Sequence, residues 1–170
     1  MKKLSNLSTI ICLTLLLFVA CEQQPKVAEV GKLAPDFTLF DRKGKTWNLA
    51  ELKGQVVFVN FWASWCFPCL KEMPSMQKLF ESMPKNNFKM LAILFNDKLA
   101  VADRVVAKYK CTFPILIDPE NNTGKAYGLT GVPETYIIDK QGVLREKFIG
   151  PVNWDSPGAR PMLMKYTAQQ

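Results

Sequence analysis

The stretch that most constrains this chain is Val57-Phe58-Val59-Asn60-Phe61-Trp62-Ala63-Ser64-Trp65-Cys66-Phe67-Pro68-Cys69. Its first half is an almost unbroken apolar run, rich in β-branched and aromatic residues, of the kind that forms a strand covered on both faces. Its second half ends in two cysteines separated by two residues, so a pair of sulfurs stands where a core strand stops. From Leu70 to Met83 the composition turns helical, and Leu70, Met73, Met76, Gln77, Leu79 and Phe80 share one broad face. Cys66 then falls at or near a helix N-terminus. Pro68 sits in the first turn, where its missing N–H loses no hydrogen bond.

That placement predicts chemistry. Unpaired N–H groups and the positive end of the helix dipole favour a thiolate, and in such motifs a cysteine pKa falls from ~8.5 to between about 3.5 and 7.5. Cys66 is expected to be the nucleophile. Cys69, one turn further in and more buried, suits the resolving role, closing a disulfide with Cys66. A structural disulfide or half of a zinc site is the competing reading. Zinc needs two further ligands, yet the chain has no histidine, and Cys12, Cys21 and Cys111 contain no second close pair. The strand–CxxC–helix context favours redox chemistry with no metal and no cofactor.

Trp62 to Cys69 after a buried strand resembles the active site of thioredoxin-fold proteins. Further matches resemble the extracytoplasmic TlpA/ResA-type branch of the thioredoxin and AhpC-TSA-Redoxin superfamily. These are Gly31-Lys32-Leu33-Ala34-Pro35-Asp36-Phe37, Asn60-Phe61-Trp62, Glu72-Met73-Pro74 and Gly131-Val132-Pro133-Glu134-Thr135, spread over residues 31–155. The resemblance implies an α/β thioredoxin-like fold, with a central mixed sheet flanked by helices and an extra N-terminal β-hairpin. It also implies a thiol–disulfide oxidoreductase acting on protein disulfides or thiols and supplied by a membrane thiol–disulfide electron donor. Relatives with these motifs act mainly as reductants, some of them for apocytochrome c cysteines. Phe67-Pro68 differs from the dipeptide of many relatives, and this dipeptide influences redox potential.

The same resemblance assigns roles outside the cysteine pair. Thioredoxin-like proteins place a cis proline beside the disulfide, and Pro133 occupies that position; the Val132 backbone is then free to pair with an extended partner segment. A proline at a strand start has a local explanation as well. Glu72 matches an acidic residue near the active site of the ResA-type branch, whereas cytoplasmic thioredoxins bury an aspartate where this chain has Asn60. Asn60 cannot take a proton. Glu72, if buried, is the candidate for proton traffic with Cys69, because desolvation raises a carboxyl pKa towards neutrality; otherwise it is a solvated helix residue beside Lys71. Glu134, next to the expected cis proline, is a second carboxyl expected to tune partner choice. Trp62 and Trp65 flank the site and are expected to shield one face of the thiols, although Trp62 needs no role beyond the core.

Upstream, Met1 to Ala20 reads as a signal peptide. Lys2 and Lys3 form a positive n-region, and the apolar run Ile10 to Ala20 is too short for a bilayer span of ~20 residues. Phe18-Val19-Ala20-Cys21 resembles a bacterial lipobox, with Phe18 in place of the usual leucine. Lipidation of Cys21 would hold the protein on a membrane facing the outside of the cytoplasm; ordinary signal-peptidase cleavage, leaving a free thiol, is the other reading. Residues 21–30 then form a polar tether and residues 31–170 one domain, long enough for a single core. Without the signal peptide, 20 basic residues remain against 15 acidic ones. They are scattered, which favours solubility or loose attraction to anionic headgroups over nucleic-acid binding.

Within the domain, Phe37–Phe40 and Thr46–Leu49 read as a hairpin, Gln55–Phe61 as the central strand and Phe88–Phe95 as a second strand. Leu99–Lys110 reads as an amphipathic helix and Pro114–Asp118 as a short extended piece, giving a parallel βαβ unit. Tyr136–Asp139 and Val143–Ile149 read as a closing hairpin, followed by a last helix capped by Asp155-Ser156-Pro157. Cys111 reads as a buried, inert thiol, and Met76 and Met83 as helix packing. Two other functions compete. A peroxiredoxin-type peroxidase shares the opening Ala34 to Leu39, but its Pro-x-x-x-Thr-x-x-Cys signature would need proline at Val59 and threonine at Ala63. A Cu(I)-binding lipoprotein would use the two thiolates as soft ligands.

Overall fold

In the computed structural model, which describes residues 27–168, strand β3 (Val56–Trp62) is buried at every position. The expected signal peptide and Cys21 lie outside the described residues. The even-numbered side chains Val56, Phe58 and Trp62 share a core layer with Met73, Met76 and Leu79 of helix α1 (Phe67–Ser82) and Leu163 of α4 (Ala159–Ala168). The odd-numbered Val57, Val59 and Phe61 enter a second layer with Phe37, Tyr127 and Tyr136. A strand coated on both faces has no solvent side, which is why its sequence shows no alternation. Full burial of each large apolar side chain contributes ~1.5–3 kcal/mol, so this strand is the thermodynamic centre of the domain.

The other strands are β1 (Thr38–Asp41), β2 (Thr46–Asn48), β4 (Phe88–Leu94), β5 (Ile115–Ile117), β6 (Glu134–Ile138) and β7 (Leu144–Ile149). They form one sheet in the order β2-β1-β5-β4-β3-β6-β7. β3, β4 and β5 run parallel, joined by α1 and by α2 (Leu99–Lys108), while β6 and β7 close the other edge antiparallel. This is the thioredoxin-like α/β arrangement. The N-terminal hairpin does more than precede the main fold: β1 pairs with β5, setting Phe40 opposite Ile117, and so widens the same sheet.

Three local features differ from the sequence expectation. Asp118 accepts the N–H groups of Asn122 (3.1 Å) and Thr123 (2.9 Å) and thereby starts a short helix, α3 (Asn122–Ala126), too brief to show a hydrophobic period. α4 begins at Ala159, later than a cap at Asp155-Ser156-Pro157 implies, because that segment is spent on turns, the Ser156 N–H donating to the Asn153 carbonyl and the Ala159 N–H to the Ser156 carbonyl, each at 3.1 Å. The end of the expected tether already rests on the fold, the Ala28 N–H donating to the Ala126 carbonyl at 2.9 Å. Among the described residues no helix is long and apolar enough to cross a membrane.

Candidate active site

β3 delivers the chain to the C-terminal edge of the sheet and stops. The Trp62 carbonyl accepts the Phe95 N–H at 2.9 Å, and the turn that follows is tied down by the loop after β4. There Asp97 Oδ2 accepts the Ser64 N–H at 2.5 Å and the Asn96 carbonyl accepts the Trp65 indole N–H at 3.1 Å. This places Cys66 as the N-cap of α1, with Pro68 in the first turn. The Cys69 N–H points at Cys66 Sγ from 3.2 Å, the contact that stabilises a thiolate once the sulfur is reduced. The two cysteines form a disulfide, with Sγ atoms 2.07 Å and Cα atoms 5.3 Å apart. Cys66 keeps 5% of its surface exposed and Cys69 1%, so a partner reaches the pair through Cys66.

Trp65 and Phe67 stand out beside that edge, 60% and 66% exposed, with the Lys71 ammonium 4.6 Å from the Phe67 ring centre. The expected shield of the thiols is therefore an open apolar rim. Trp62, fully buried, belongs to the core. Across the disulfide, the Val132–Pro133 peptide is cis and the Val132 carbonyl oxygen lies 3.4 Å from Cys66 Sγ. The resemblance placed Pro133 and Val132 here, and the structure brings them together with Cys66.

Glu72 lies on the buried side of α1, 3% exposed. Its Oε1 accepts the Trp154 indole N–H and the Val152 N–H (3.2 Å), while Oε2 has no hydrogen-bond partner among the described residues. Burial pushes its pKa up to about 7, and the hydrogen bonds from Trp154 and Val152 only partly offset this. A solvated glutamate beside Lys71 is thereby replaced by a desolvated one able to hold or release a proton near neutrality. Asn60 faces the same core layer, with its amide N–H donating to Thr135 Oγ1 at 2.9 Å.

Glu134 is equally buried and opposite in character. Burial alone would raise its pKa, but the Thr130 hydroxyl and N–H and the Tyr136 hydroxyl all donate to it, Lys147 lies 3.1 Å away, and together they hold it below the usual carboxylate range. Its side chain closes the Thr130 to Glu134 loop that carries Val132 and Pro133. It presents no surface to a partner, so any influence on partner choice runs through that loop.

With this geometry in place, the family described as AhpC/TSA matches residues 30–147. The chain belongs to the AhpC/TSA family. Within it, the thiol–disulfide oxidoreductase ResA of Geobacillus thermodenitrificans is 36% identical over 121 residues, 71% of this chain and 70% of that protein. Among solved structures, a Chlorobium tepidum protein described as thiol:disulfide interchange protein DsbE superposes with a TM-score of 0.75 at 28% identity, covering 83% of this chain and 99% of that one. The pneumococcal exposed lipoprotein thioredoxin Etrx1 of Streptococcus pneumoniae superposes with a TM-score of 0.66 at 28% identity, covering 77% and 99%. This AhpC/TSA member is a thioredoxin-fold protein of the ResA/TlpA type and a thiol–disulfide oxidoreductase.

Sequence reasoning missed the residues that hold this AhpC/TSA site in shape. Asn96 and Asp97 latch the turn before Cys66 but read as an ordinary loop pair. Trp154 and Val152 grip Glu72 from far along the chain, and nothing local in Pro151-Val152-Asn153-Trp154 announces a partner on α1. Cys111 is buried with its thiol 3.8 Å from Met73 Sδ, and burial pushes its pKa to about 11. An inert thiol is what those surroundings produce.

Proposed function

We propose that this oxidoreductase reduces protein disulfides on the extracytoplasmic side of a bacterial membrane, held there by lipid on Cys21 and recharged by a membrane thiol–disulfide donor; cytochrome c maturation is the process its relatives suggest. The observation that carries the reductant reading is Glu72, buried in α1 with a pKa raised to about 7, in a chain whose strand offers Asn60 in place of an acid. The Cys66 thiolate attacks a partner disulfide, forming a mixed disulfide and expelling one partner thiolate. The Cys69 thiol passes its proton to Glu72, and its thiolate attacks Cys66 Sγ. This restores the Cys66–Cys69 disulfide and releases the second partner thiolate, which takes up a proton; the partner gains two electrons and the cysteine pair loses them.

Several features support this assignment of roles. Cys66 has the helix N-terminal position and the exposed edge, Cys69 is deeper, and the Val132 carbonyl beside Cys66 offers an acceptor to an extended partner backbone. Trp65 and Phe67 provide apolar contact area and, with Pro68, tune partner and potential. An anionic Glu72 near Cys69 disfavours a second negative charge there, so the dithiol is less stabilised and the pair more reducing. The test is the reduction potential at pH 7, expected at about −220 mV or lower; a value near −120 mV, the range of a dedicated oxidant, would overturn the reductant direction.

A further inference from the structure

We propose that Trp154 is a positioning residue for thiol exchange: its indole N–H, together with the Val152 N–H, occupies Oε1 of Glu72 and leaves Oε2 as the oxygen that carries the exchanged proton. This rests on the reading of Glu72 as proton carrier. The indole is itself fixed. It is 1% exposed, meets Phe58 edge-on at 4.7 Å and Phe148 at 5.3 Å, and its backbone N–H donates to Ser75 Oγ at 3.2 Å. The Ser75 hydroxyl in turn donates to the Glu72 carbonyl at 2.8 Å. The segment after β7 is thus fastened to α1 at Glu72 and Ser75, and two donors converge on one carboxylate oxygen. Among the described residues the other oxygen has no hydrogen-bond partner. With no donor committed to it, Oε2 is the oxygen on which a proton can reside without displacing the indole or Val152 N–H.

Against the desolvation that raises its pKa, the indole N–H is the strongest hydrogen bond favouring the anion. On α1 the charged neighbours are Lys71 and Lys78, and on the segment after β7 Asp155; all three line the shallow cleft of about 400 Å³ that borders Glu72, and Lys78 and Asp155 neutralise each other at 2.6 Å. β3 contributes the neutral Asn60, bonded to Thr135 of β6. Removing the indole N–H while keeping an aromatic ring should therefore raise the Glu72 pKa by roughly one unit, since a charge-assisted hydrogen bond favours the anion by about that much.

The experiment is the pH profile of peptide-disulfide reduction in wild type, Trp154→Phe, Glu72→Gln and the double variant, alongside the indole N–H chemical shift of wild-type Trp154 by NMR. The midpoint near pH 7 should move up by about one unit in Trp154→Phe and vanish in Glu72→Gln. The double variant should match Glu72→Gln. The wild-type indole signal should titrate near pH 7 and stop doing so in Glu72→Gln, a readout that survives even if Trp154→Phe folds poorly. An unmoved midpoint in Trp154→Phe, or an indole signal that ignores pH, overturns the role of Trp154. A profile unchanged in Glu72→Gln overturns the underlying reading of Glu72 instead.

Discussion

Replacing Glu72 with glutamine in the oxidised protein should stabilise it more at pH 8 than at pH 5. In the unfolded chain the carboxyl ionises around 4.5; in the fold it does so at about 7, because burial disfavours the anion. Below pH 4.5 both states are protonated and the site makes no difference. As pH rises from there the unfolded state ionises first, so folding loses stability until both states are charged above pH 7. At 1.36 kcal/mol per pKa unit the total loss is roughly 3 kcal/mol, of which about 2.5 kcal/mol falls between pH 5 and 8. Glutamine cannot ionise, and every other carboxylate titrates alike in both proteins, so the difference between variant and wild type isolates this site. Urea unfolding with the disulfide intact and no reductant reads it out. With a slope of about 2 kcal/mol/M, the midpoint gap between the two proteins should widen by roughly 1 M from pH 5 to pH 8. A gap that is the same at both pH values refutes the claim that the fold holds Glu72 in a desolvated, easily protonated state.

In the reduced protein, brief alkylation near neutral pH should label Cys66 before Cys69, and Cys111 only after denaturation; mass spectrometry that finds Cys69 first, or native labelling of Cys111, contradicts the burial and helix-end arguments. Glu134→Ala should cost about 3 kcal/mol by stranding Lys147 and the Thr130 and Tyr136 donors, and Glu134→Gln less. Because the folded pKa of Glu134 is lowered, its stabilisation is present above the ordinary carboxylate range and is lost as pH falls through the folded value. Acid unfolding monitored by circular dichroism should accordingly lose part of its pH dependence in either variant. Cys21→Ser should release the protein from the membrane fraction, and a variant that stays fully membrane-bound excludes lipid on that residue as the anchor.

The parts of the fold legible in the sequence are those built from local rules. The apolar run of β3, the amphipathic face of α1 and the position of Pro68 each depend on neighbours within a turn or two, and all three are found where the residues indicate. The helix after Asp118 was not legible, because five residues are too few for periodicity and only the Asp118 carboxylate reveals it. At the site, the Cys66–Cys69 pair is local, and Pro133 and Glu72 came from motif order. What holds Glu72 is non-local: Trp154 lies 82 residues away, and its indole reaches the carboxylate only because β6, β7 and α1 pack around Phe58. The misplacement of Trp65 has a similar origin, since nothing in Trp62-Ala63-Ser64-Trp65 says that the loop after β4 pulls the second indole outward through the Asn96 carbonyl.

Glu72 and Glu134 together show what sets a buried carboxyl's charge in this domain. Both are removed from solvent, at 3% and 0% exposure, so desolvation pushes both upward. Glu134 is met on both oxygens, Oε1 by the Thr130 hydroxyl and N–H and Oε2 by the Tyr136 hydroxyl and Lys147, and these donors outweigh the desolvation and fix a permanent anion beside the loop of Val132 and Pro133. Among the described residues Glu72 has strong donors on Oε1 alone and no cation that shifts it, so desolvation wins and its charge is left adjustable. A permanent charge suits a part whose shape must not change as the cysteines cycle between disulfide and dithiol. An adjustable one suits a part that must give and take a proton during that cycle. The donors aimed at each carboxylate, set against its desolvation, therefore separate the structural acid from the chemical one.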